Sequence, residues 1–321
     1  MKPSLNGRRI YMKRIRNDLI SSRQTPRAYY HYECKHKKGM YTHMLLEDFG
    51  RSFSIELAPF EEHDNFYGVT PVGDLLENLL QFNDYSFFRY SFDTLLNTIM
   101  HYLIINGKTY LEIVKWTDSS GKLQGIELVP LCTRKGISFG KTYFFNVKTP
   151  DGRFGFRLNK QAVVAFSLKD IGFNRRFFLR LIRRLSRIDL LGYTDLTLNQ
   201  NLVGIYSFTE HQKQMDYLLL KYTRKVFWHG RKHSNQHLSE SYLLYRQAYY
   251  AMLQYKFLDY ILQRINDGLE PLRKEFGFEG KITTSLPRID YKKYLEEYYA
   301  GRINASQLGD IIFKKTIPAV D

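Results

Sequence analysis

The sequence has few cysteines and no evident set of metal ligands. Its two cysteines, Cys34 and Cys132, are too few for a disulfide framework and suit a reducing cytoplasm. His31, Cys34 and His36 lie close together in a lysine-rich stretch that has no evident fourth ligand. We interpret them as part of a basic segment, and we expect no metal and no other cofactor.

Sequence signatures of catalysis are also absent. The chain contains neither a G-x-x-x-x-G-K-[ST] phosphate loop nor a G-x-S-x-G nucleophile motif. Its densest acidic run, residues 61–64, is contiguous, whereas a metal-dependent nuclease needs carboxylates that converge from several elements. We therefore expect no enzyme and no catalytic residue.

Long apolar runs are missing as well. No run approaches the roughly 18 consecutive apolar residues that a membrane span needs. The pair Arg8-Arg9 near the amino terminus is not followed by the apolar segment of a secretory signal. These absences predict a soluble protein that is not secreted and has no membrane partner.

Positive charge, by contrast, is abundant. Lysine and arginine number 48 against 32 acidic residues, which gives a formal charge of +16 at pH 7. Such a charge indicates a polyanionic partner, most simply nucleic acid, or an anionic membrane, and charge alone does not choose between them. Hydrophobic residues make up 44% of the 321 positions, enough for one large domain or two medium ones.

An apolar helix followed by strands is the clearest pattern in the chain. Helical spacing relates seven apolar residues: Phe88, Phe92, Leu95, Leu96, Ile99, Met100 and Leu103. Asn106-Gly107 ends this pattern. Strands are then predicted for residues 108–116, 122–131, 141–147, 153–158 and 162–167. Turn residues separate these strands, so we predict an antiparallel meander and an α+β fold.

Two sets of residues in this order match a known pattern. The first is N-G-K-T-Y-L-E at residues 106–112, Gly121 in the turn and L-V-P-L at residues 128–131. The second comprises Y-K-F at 255–257, L-E-P-L at 269–272, K-I-T-T at 281–284 and G-R-I-N at 301–304. Across about residues 86–305 the chain resembles the portal, or head–tail connector, proteins of tailed bacteriophages.

The resemblance implies five parts of the chain. They are a basic arm at 1–40, a wing-like α+β domain at 41–190, a stem helix with a reduced clip at 191–238, a long helix at 239–276, and a β/helix segment with a minimal crown at 277–321. The stem helix corresponds to the proline-free pattern from Thr194 to Phe227. After Phe227 the chain departs from the family, because only about eight residues remain where a clip is expected.

A function also follows from the resemblance. Portal subunits form a ring, typically of twelve copies, at one capsid vertex, through which double-stranded DNA is packaged and ejected. The implied partners are further copies of the chain, DNA, terminase, the major capsid protein and tail or adaptor proteins. The implied location is the portal vertex of the virion, after assembly in the host cytoplasm. Two alternatives remain open: a basic nucleic-acid-binding protein of phage replication or recombination, and another virion structural protein.

The region 174–189 is predicted to be a basic amphipathic helix. One face carries Arg176, Arg180, Arg183, Arg184 and Arg187. The opposite face carries Phe178, Leu181, Ile182, Leu185 and Ile188. An all-arginine stripe lacks the i,i+4 acidic partners that a merely solvated helix usually has, so we predict that it binds DNA or a partner protein. A solvated helix face is the competing interpretation.

A short linker, residues 228–237, carries a second basic cluster. Arg231, Lys232 and His233 are predicted to contact DNA or a partner, and a simple solvated turn is an equally good interpretation. His229, His233 and His237 recur every four residues, yet the glycine at 230 opposes a helix there, so we predict no metal site.

Overall fold

The computed structural model describes residues 19–24, 39–50, 67–80, 88–131, 136–149, 152–198, 208–231, 239–286 and 288–314. The protein is α+β with antiparallel sheets and one long helix, so the predicted fold class is confirmed at that level. The possible zinc ligands at 31–36 and the acidic run at 61–64 lie outside the described residues.

The chain divides into two compact units. The first takes its described residues from 19–24, 67–167 and 260–285, and the second from 39–50, 168–259 and 286–314. The strands are β1 (Ile20–Ser21), β2 (Tyr67–Thr70), β3 (Lys108–Thr117), β4 (Leu123–Leu131), β5 (Gly136–Phe139), β6 (Thr142–Thr149), β7 (Gly152–Asn159), β8 (Val163–Ser167) and β9 (Lys281–Thr284). The helices are α1 (Met40–Gly50), α2 (Leu75–Leu80), α3 (Phe88–Asn106), α4 (Phe177–Leu198), α5 (Phe208–Tyr222), α6 (Glu240–Phe276), α7 (Tyr291–Tyr299) and α8 (Ala305–Lys314).

Helix α3 of the first unit follows the predicted pattern. Phe92, Leu96, Ile99, Met100 and Leu103 are all buried. The helix ends at Asn106 because Gly107 takes a left-handed conformation, with φ of 71°, and donates its N–H to the carbonyl of Leu103 at 2.8 Å. The predicted start and stop of this element are confirmed.

Strand β3 is the centre of the first sheet. It pairs with β4 along one edge, and its other edge holds β8 at residues 108–112 and β1 at residues 116–117. The prediction that residues 162–167 extend a meander is therefore wrong, because β8 returns to β3 instead of pairing with β7. A short 3-10 turn, Lys160–Ala162, redirects the chain, and the pairing buries Val164 and Phe166 against the core.

A second sheet of the first unit contains β5, β6 and β7, of which β5 was not predicted. Its inner face packs into one apolar cluster: Tyr110, Leu131, Phe145, Phe156 and Leu158. Gly136 allows β5 to approach, since a Cβ there would lie 2.7 Å from ring atoms of both Tyr110 and Phe145. A larger residue at this position would therefore force β5 away from these two rings.

Helix α6 was predicted from residue 239 to 276, and it extends from Glu240 to Phe276. Its residues 260–276 belong to the first unit, where Asn266 binds strand β9. The Asn266 side chain donates to the carbonyl of Ile282 and accepts the N–H of the same residue, both at 2.8 Å. Gly268 brings the helix against Val164 of β8 and Ile113 of β3.

The second unit contains the remaining helices. The amino-terminal half of α6 packs with α7 and α8 through an apolar cluster: Leu244, Ala248, Tyr291, Leu295, Leu308 and Ile312. Helix α1 was not predicted from the sequence. Its buried residues, Tyr41, Thr42, Leu45 and Phe49, recur every three or four positions. Packing of this buried face stabilises the helix.

The stem helix predicted for 194–227 is described only in part, and its predicted end at residue 227 is wrong. Residues 194–198 end α4, α5 covers 208–222, and 223–227 form a turn, while 199–207 lie outside the described residues. Side chains end α5: the Thr223 hydroxyl donates to the carbonyl of Leu219 at 2.7 Å, and a guanidinium of α6, that of Arg246, donates to the carbonyl of Leu220 at 3.3 Å. The predicted basic helix and the start of the predicted stem are thus one element.

We expect Gly268→Ala to destabilise the protein. Alanine in a helix normally gains about 1 kcal/mol over glycine. Here the added Cβ would lie 2.2 Å from a methyl carbon of Val164, so overpacking reverses the sign and the loss should be about 1–3 kcal/mol. Gly68→Ala in β2, where the Cβ meets nothing within 4 Å, is the matched control. Urea unfolding checks both variants, and equal stabilities for the two would contradict the packing of α6 on β8.

Candidate nucleic-acid interface

Helix α4 separates an apolar face from a cationic one. Its five predicted core residues are buried: Phe178, Leu181, Ile182, Leu185 and Ile188. All five predicted arginines are exposed, and so is their neighbour at 175, which was not predicted: Arg175, Arg176, Arg180, Arg183, Arg184 and Arg187. The predicted amphipathic pattern is therefore confirmed. We call these six arginines the arginine face.

Local sequence explains where α4 begins. Asn174 precedes the helix, and its side-chain oxygen accepts the backbone N–H of Arg176 at 2.9 Å. Phe177 donates its own N–H to the carbonyl of Asn174 at 2.8 Å. Leucine, isoleucine and arginine then follow without glycine or proline until position 192, which favours continued helix.

An aromatic cluster holds α4 in a fixed rotation about its own axis. The Phe178 ring lies edge-on to Phe49 of α1, with centroids 5.2 Å apart, and 6.4 Å from Phe257 of α6. Phe49 and Phe257 also meet edge to face at 6.1 Å. Because these rings are buried on one side of α4, the arginines are directed to the other.

One acidic residue of α4, Asp189, points into the interior and binds another helix. Its Oδ1 accepts the N–H of Tyr41 at 3.0 Å, at the amino-terminal end of α1, where a negative charge is favourable. Burial raises the pKa of Asp189, against the opposing effect of the N–H groups of Tyr41 and Thr42. Gly39 is required beside it, since a Cβ there would lie 1.9 Å from the carboxylate.

The arginine face has a high unpaired charge. Within the part of the chain that the structure describes, none of its six guanidinium groups forms an ion pair. From Arg176 to Arg187 the groups extend over about 16 Å of helix, which matches about five phosphates of one DNA strand. Each guanidinium offers a planar fork that suits phosphate or carboxylate.

Helix α5 adds further cations beside this face. The guanidinium of Arg184 lies 5.2 Å above the ring of Tyr222, the last residue of α5. The residues around Tyr222 include exposed Lys221, Arg224 and Lys225. These three residues were not predicted as part of the site, although their K-x-x-R-K spacing near the end of a predicted helix is a signal in the sequence.

Arg231 contacts two carboxylates of α1. Its Nε donates to Asp48 Oδ1 at 2.7 Å, and its Nη2 donates to Glu47 Oε2 at 2.7 Å. Trp228 donates its indole N–H to the second oxygen of Asp48, also at 2.7 Å. The hydrogen bond to Asp48 raises the pKa of Arg231, and the hydrogen bond to Glu47 raises it further. This geometry favours a structural role for Arg231 over the predicted DNA contact.

A buried arginine, Arg246, binds the turn that contains Thr223 and Trp228. Arg246 is 1% exposed and donates through Nη2 to Thr223 Oγ1 at 2.7 Å and to the carbonyl of Trp228 at 2.8 Å. Burial lowers the pKa of Arg246. Its described hydrogen-bond partners are all neutral, so its charge is solvated by backbone and hydroxyl oxygens instead of a carboxylate.

Other predicted residues fall elsewhere. Lys232 and His233 lie outside the described residues, so their predicted contact with DNA stays a prediction. His229 is buried, 6% exposed, and does not present a side chain to solvent. Across the described ranges, no group of three or more histidine, cysteine, aspartate or glutamate side chains is placed to hold a metal ion. None of the helices described is long and apolar enough to cross a bilayer.

No protein-family model matches this chain, and no curated protein matches it.

We expect Arg231→Gln to change stability more than it changes DNA binding. The variant removes the ion pairs to Glu47 and Asp48, which are partly solvated, so the free energy of unfolding should fall by about 1 kcal/mol. Arg224→Gln, an exposed residue of the same turn, should stay within about 0.5 kcal/mol of wild type. Thermal and urea unfolding measure both. A stable Arg231→Gln protein with strongly reduced DNA affinity would contradict the structural role.

Proposed function

We propose that this chain binds double-stranded DNA through the arginine face of α4 and acts as a subunit of a phage portal ring. The observation that carries the DNA contact is the row of exposed guanidinium groups without acidic partners among the described residues. The formal charge of +16 agrees with a polyanionic ligand.

The chemistry of this face suits backbone contact and not base recognition. Arginines that project at several points along one helix can each bind a phosphate oxygen, and such contacts position DNA without reading its sequence. DNA that must move through a ring needs many weak contacts of equal strength at every position. Phosphate attraction supplies these, whereas bidentate base contacts would hold one sequence in place.

The portal assignment itself is supported by the resemblance and by the order of elements. The motif residues 106–131 lie in the sequence α3, β3, β4, which corresponds to the helix and strands of a portal wing. The long α6, the short β9 and α7 follow in the order of the second motif set. The proposed partners are eleven or so further copies, terminase, the major capsid protein and tail or adaptor proteins, at the portal vertex.

The corrected helices change which element we propose to face DNA. The last residues of α4 and the whole of α5 lie within the predicted stem at 194–227, so we propose that α4 with its arginine face, and the end of α5 beside it, take the role that the stem helix was expected to have. We propose no catalytic role for any residue and no cofactor.

A second candidate rests on the same arginine face. A basic nucleic-acid-binding protein of replication or recombination would use identical phosphate contacts as a monomer or small oligomer. Another virion structural protein would form a defined assembly without needing the DNA contact. Oligomeric state and DNA binding, measured together, separate the three.

The salt dependence of DNA binding tests the arginine face. If five arginines each neutralise one phosphate, log Kd for a random 30-base-pair duplex should change with log salt concentration with a slope of about 4–5. The triple variant Arg180→Gln, Arg183→Gln, Arg187→Gln should lower that slope by about 2.7 and weaken binding at least tenfold at 0.1 M salt.

A control variant should remove the same charge elsewhere. Lys274→Gln, Lys292→Gln, Lys293→Gln together remove three exposed cations outside α4 and should leave the slope within about 1 of wild type. Fluorescence anisotropy measures all three proteins. Equal slopes for the arginine and lysine variants would contradict a DNA contact at α4.

Closed rings test the portal assignment. Native mass spectrometry in moderate salt should detect one dominant species of about twelve copies, since cyclic closure gives a discrete mass. A monomer or dimer that still binds DNA would overturn the portal proposal in favour of the nucleic-acid-binding candidate. A defined assembly that does not bind DNA would favour another virion structural protein.

A further inference from the structure

The second sheet of the first unit exposes an apolar face. Ile137 is 72% exposed, Phe139 78% and Phe144 36%. The register pairs Ile137 with Phe144, and Phe144 with Arg157, so these side chains share one face of the sheet. The alternate residues, including Phe145, fill the core on the other face. The exposed face is therefore the outer surface of a folded sheet.

The exposed apolar area is large enough to mark a contact surface. At about 200 Å² for a fully exposed aromatic or aliphatic side chain, the three residues expose roughly 300–400 Å², in the range of the largest apolar patch on a typical monomer. Strand β5 pairs only with β6 among the described residues, and its sequence G-I-S-F has none of the lysines or prolines that usually protect an edge strand. These features point to an interface.

Two cations lie at this apolar face. The guanidinium of Arg157 lies 5.3 Å from the centroid of the Phe144 ring. Lys141 is exposed in the turn between β5 and β6. A partner surface that fits this face is therefore apolar at its centre and acidic around it. We call Ile137, Phe139, Phe144 and Arg157 the sheet face.

The same unit carries a surface of that description. Val72 is 92% exposed and Leu75 48% exposed, at the turn that leads into α2. Residues 71–80 contain the carboxylates Asp74 and Glu77 and no lysine or arginine. Asp74 accepts the N–H of Leu76 at 2.8 Å and so keeps the turn in shape. We call Val72, Asp74, Leu75 and Glu77 the acidic turn.

We infer that the sheet face of one copy binds the acidic turn of the next copy. Both surfaces belong to one compact unit, so their geometry is repeated in every molecule. A contact between two different surfaces of identical chains is heterologous, and it produces a ring when the rotation closes or a filament when it does not. The inference rests on the proposed ring for the closure, and on the apolar and charge complementarity for the contact.

Single substitutions on each surface test the contact. Phe139→Glu and Val72→Glu each place a carboxylate in the apolar centre and should weaken self-association at least about 30-fold, the effect of removing an interface hot spot. Tyr299→Glu, which changes an aromatic residue that is 68% exposed in the second unit, is the matched control and should assemble as wild type does. Sedimentation velocity measures the three variants, with circular dichroism to verify their folding.

Mixing the two variants gives the sharper result. The Phe139→Glu protein keeps an intact acidic turn, and the Val72→Glu protein keeps an intact sheet face. A heterologous contact therefore predicts that each variant alone is monomeric and that the equimolar mixture forms a one-to-one dimer and nothing larger. A mixture that remains monomeric would overturn the inference, as would wild-type protein that stays monomeric at 100 µM.

Charge reversal identifies the partner residues. Arg157→Glu and Glu77→Lys should each weaken assembly about tenfold, and the double variant should regain most of it because the pair is restored with opposite sign. Failure of the double variant to recover would contradict this docking of the two surfaces.

Failure of the contact and failure of the portal ring give different results. Closed rings that persist in Phe139→Glu would overturn the contact and leave the portal proposal standing. Open chains that depend on both surfaces but never close would support the contact and contradict the portal ring.

Discussion

Burial of the apolar face of α4 is the constraint on which the proposed function depends. Six arginines in thirteen residues repel one another, and nothing in their own chemistry would hold them along one line. Phe178 packs against α1 and α6, and the leucines and isoleucines on its side of α4 are buried as well. Burial of each such side chain contributes about 1.5–3 kcal/mol to stability. The repulsion among solvated guanidinium groups is smaller, so packing decides where the charges point. A polyanion that binds there relieves the repulsion and gains the attraction of all six groups.

The turn that follows α5 shows how differently the arginines of one protein can act. Arg246 is enclosed by oxygen acceptors, and Arg231 is held by Asp48 and Glu47, so both maintain the shape of the turn. Arg224, which precedes both in sequence, is exposed, and the structure describes no such contact for its guanidinium, so it stays available to a ligand. Charge alone predicts a basic surface here, but only the positions of two carboxylates on α1, far away in sequence, decide which cation faces the solvent.

Local patterns in the sequence predicted α3, the β3–β4 hairpin, α6 and the two faces of α4, because each depends on spacing within a few turns or one hairpin. The errors concern long-range partners. The return of β8 to β3 depends on pairing between residues 108–112 and 163–167, and the end of α5 depends on Arg246 from another helix. Helix α1 has weak local signals and is held by Asp189, 148 residues away from Tyr41. The arginine face was predictable; the structural role of Arg231 was not.

The proposed function requires that α4 presents its arginines to DNA inside a closed ring of identical subunits. Cryo-electron microscopy of the purified protein mixed with a 40-base-pair duplex tests this arrangement. We predict a ring with density for DNA along its axis and with guanidinium groups of α4 within about 4 Å of phosphates. A ring whose α4 arginines face away from the DNA, or DNA bound to single copies through another surface, would contradict it.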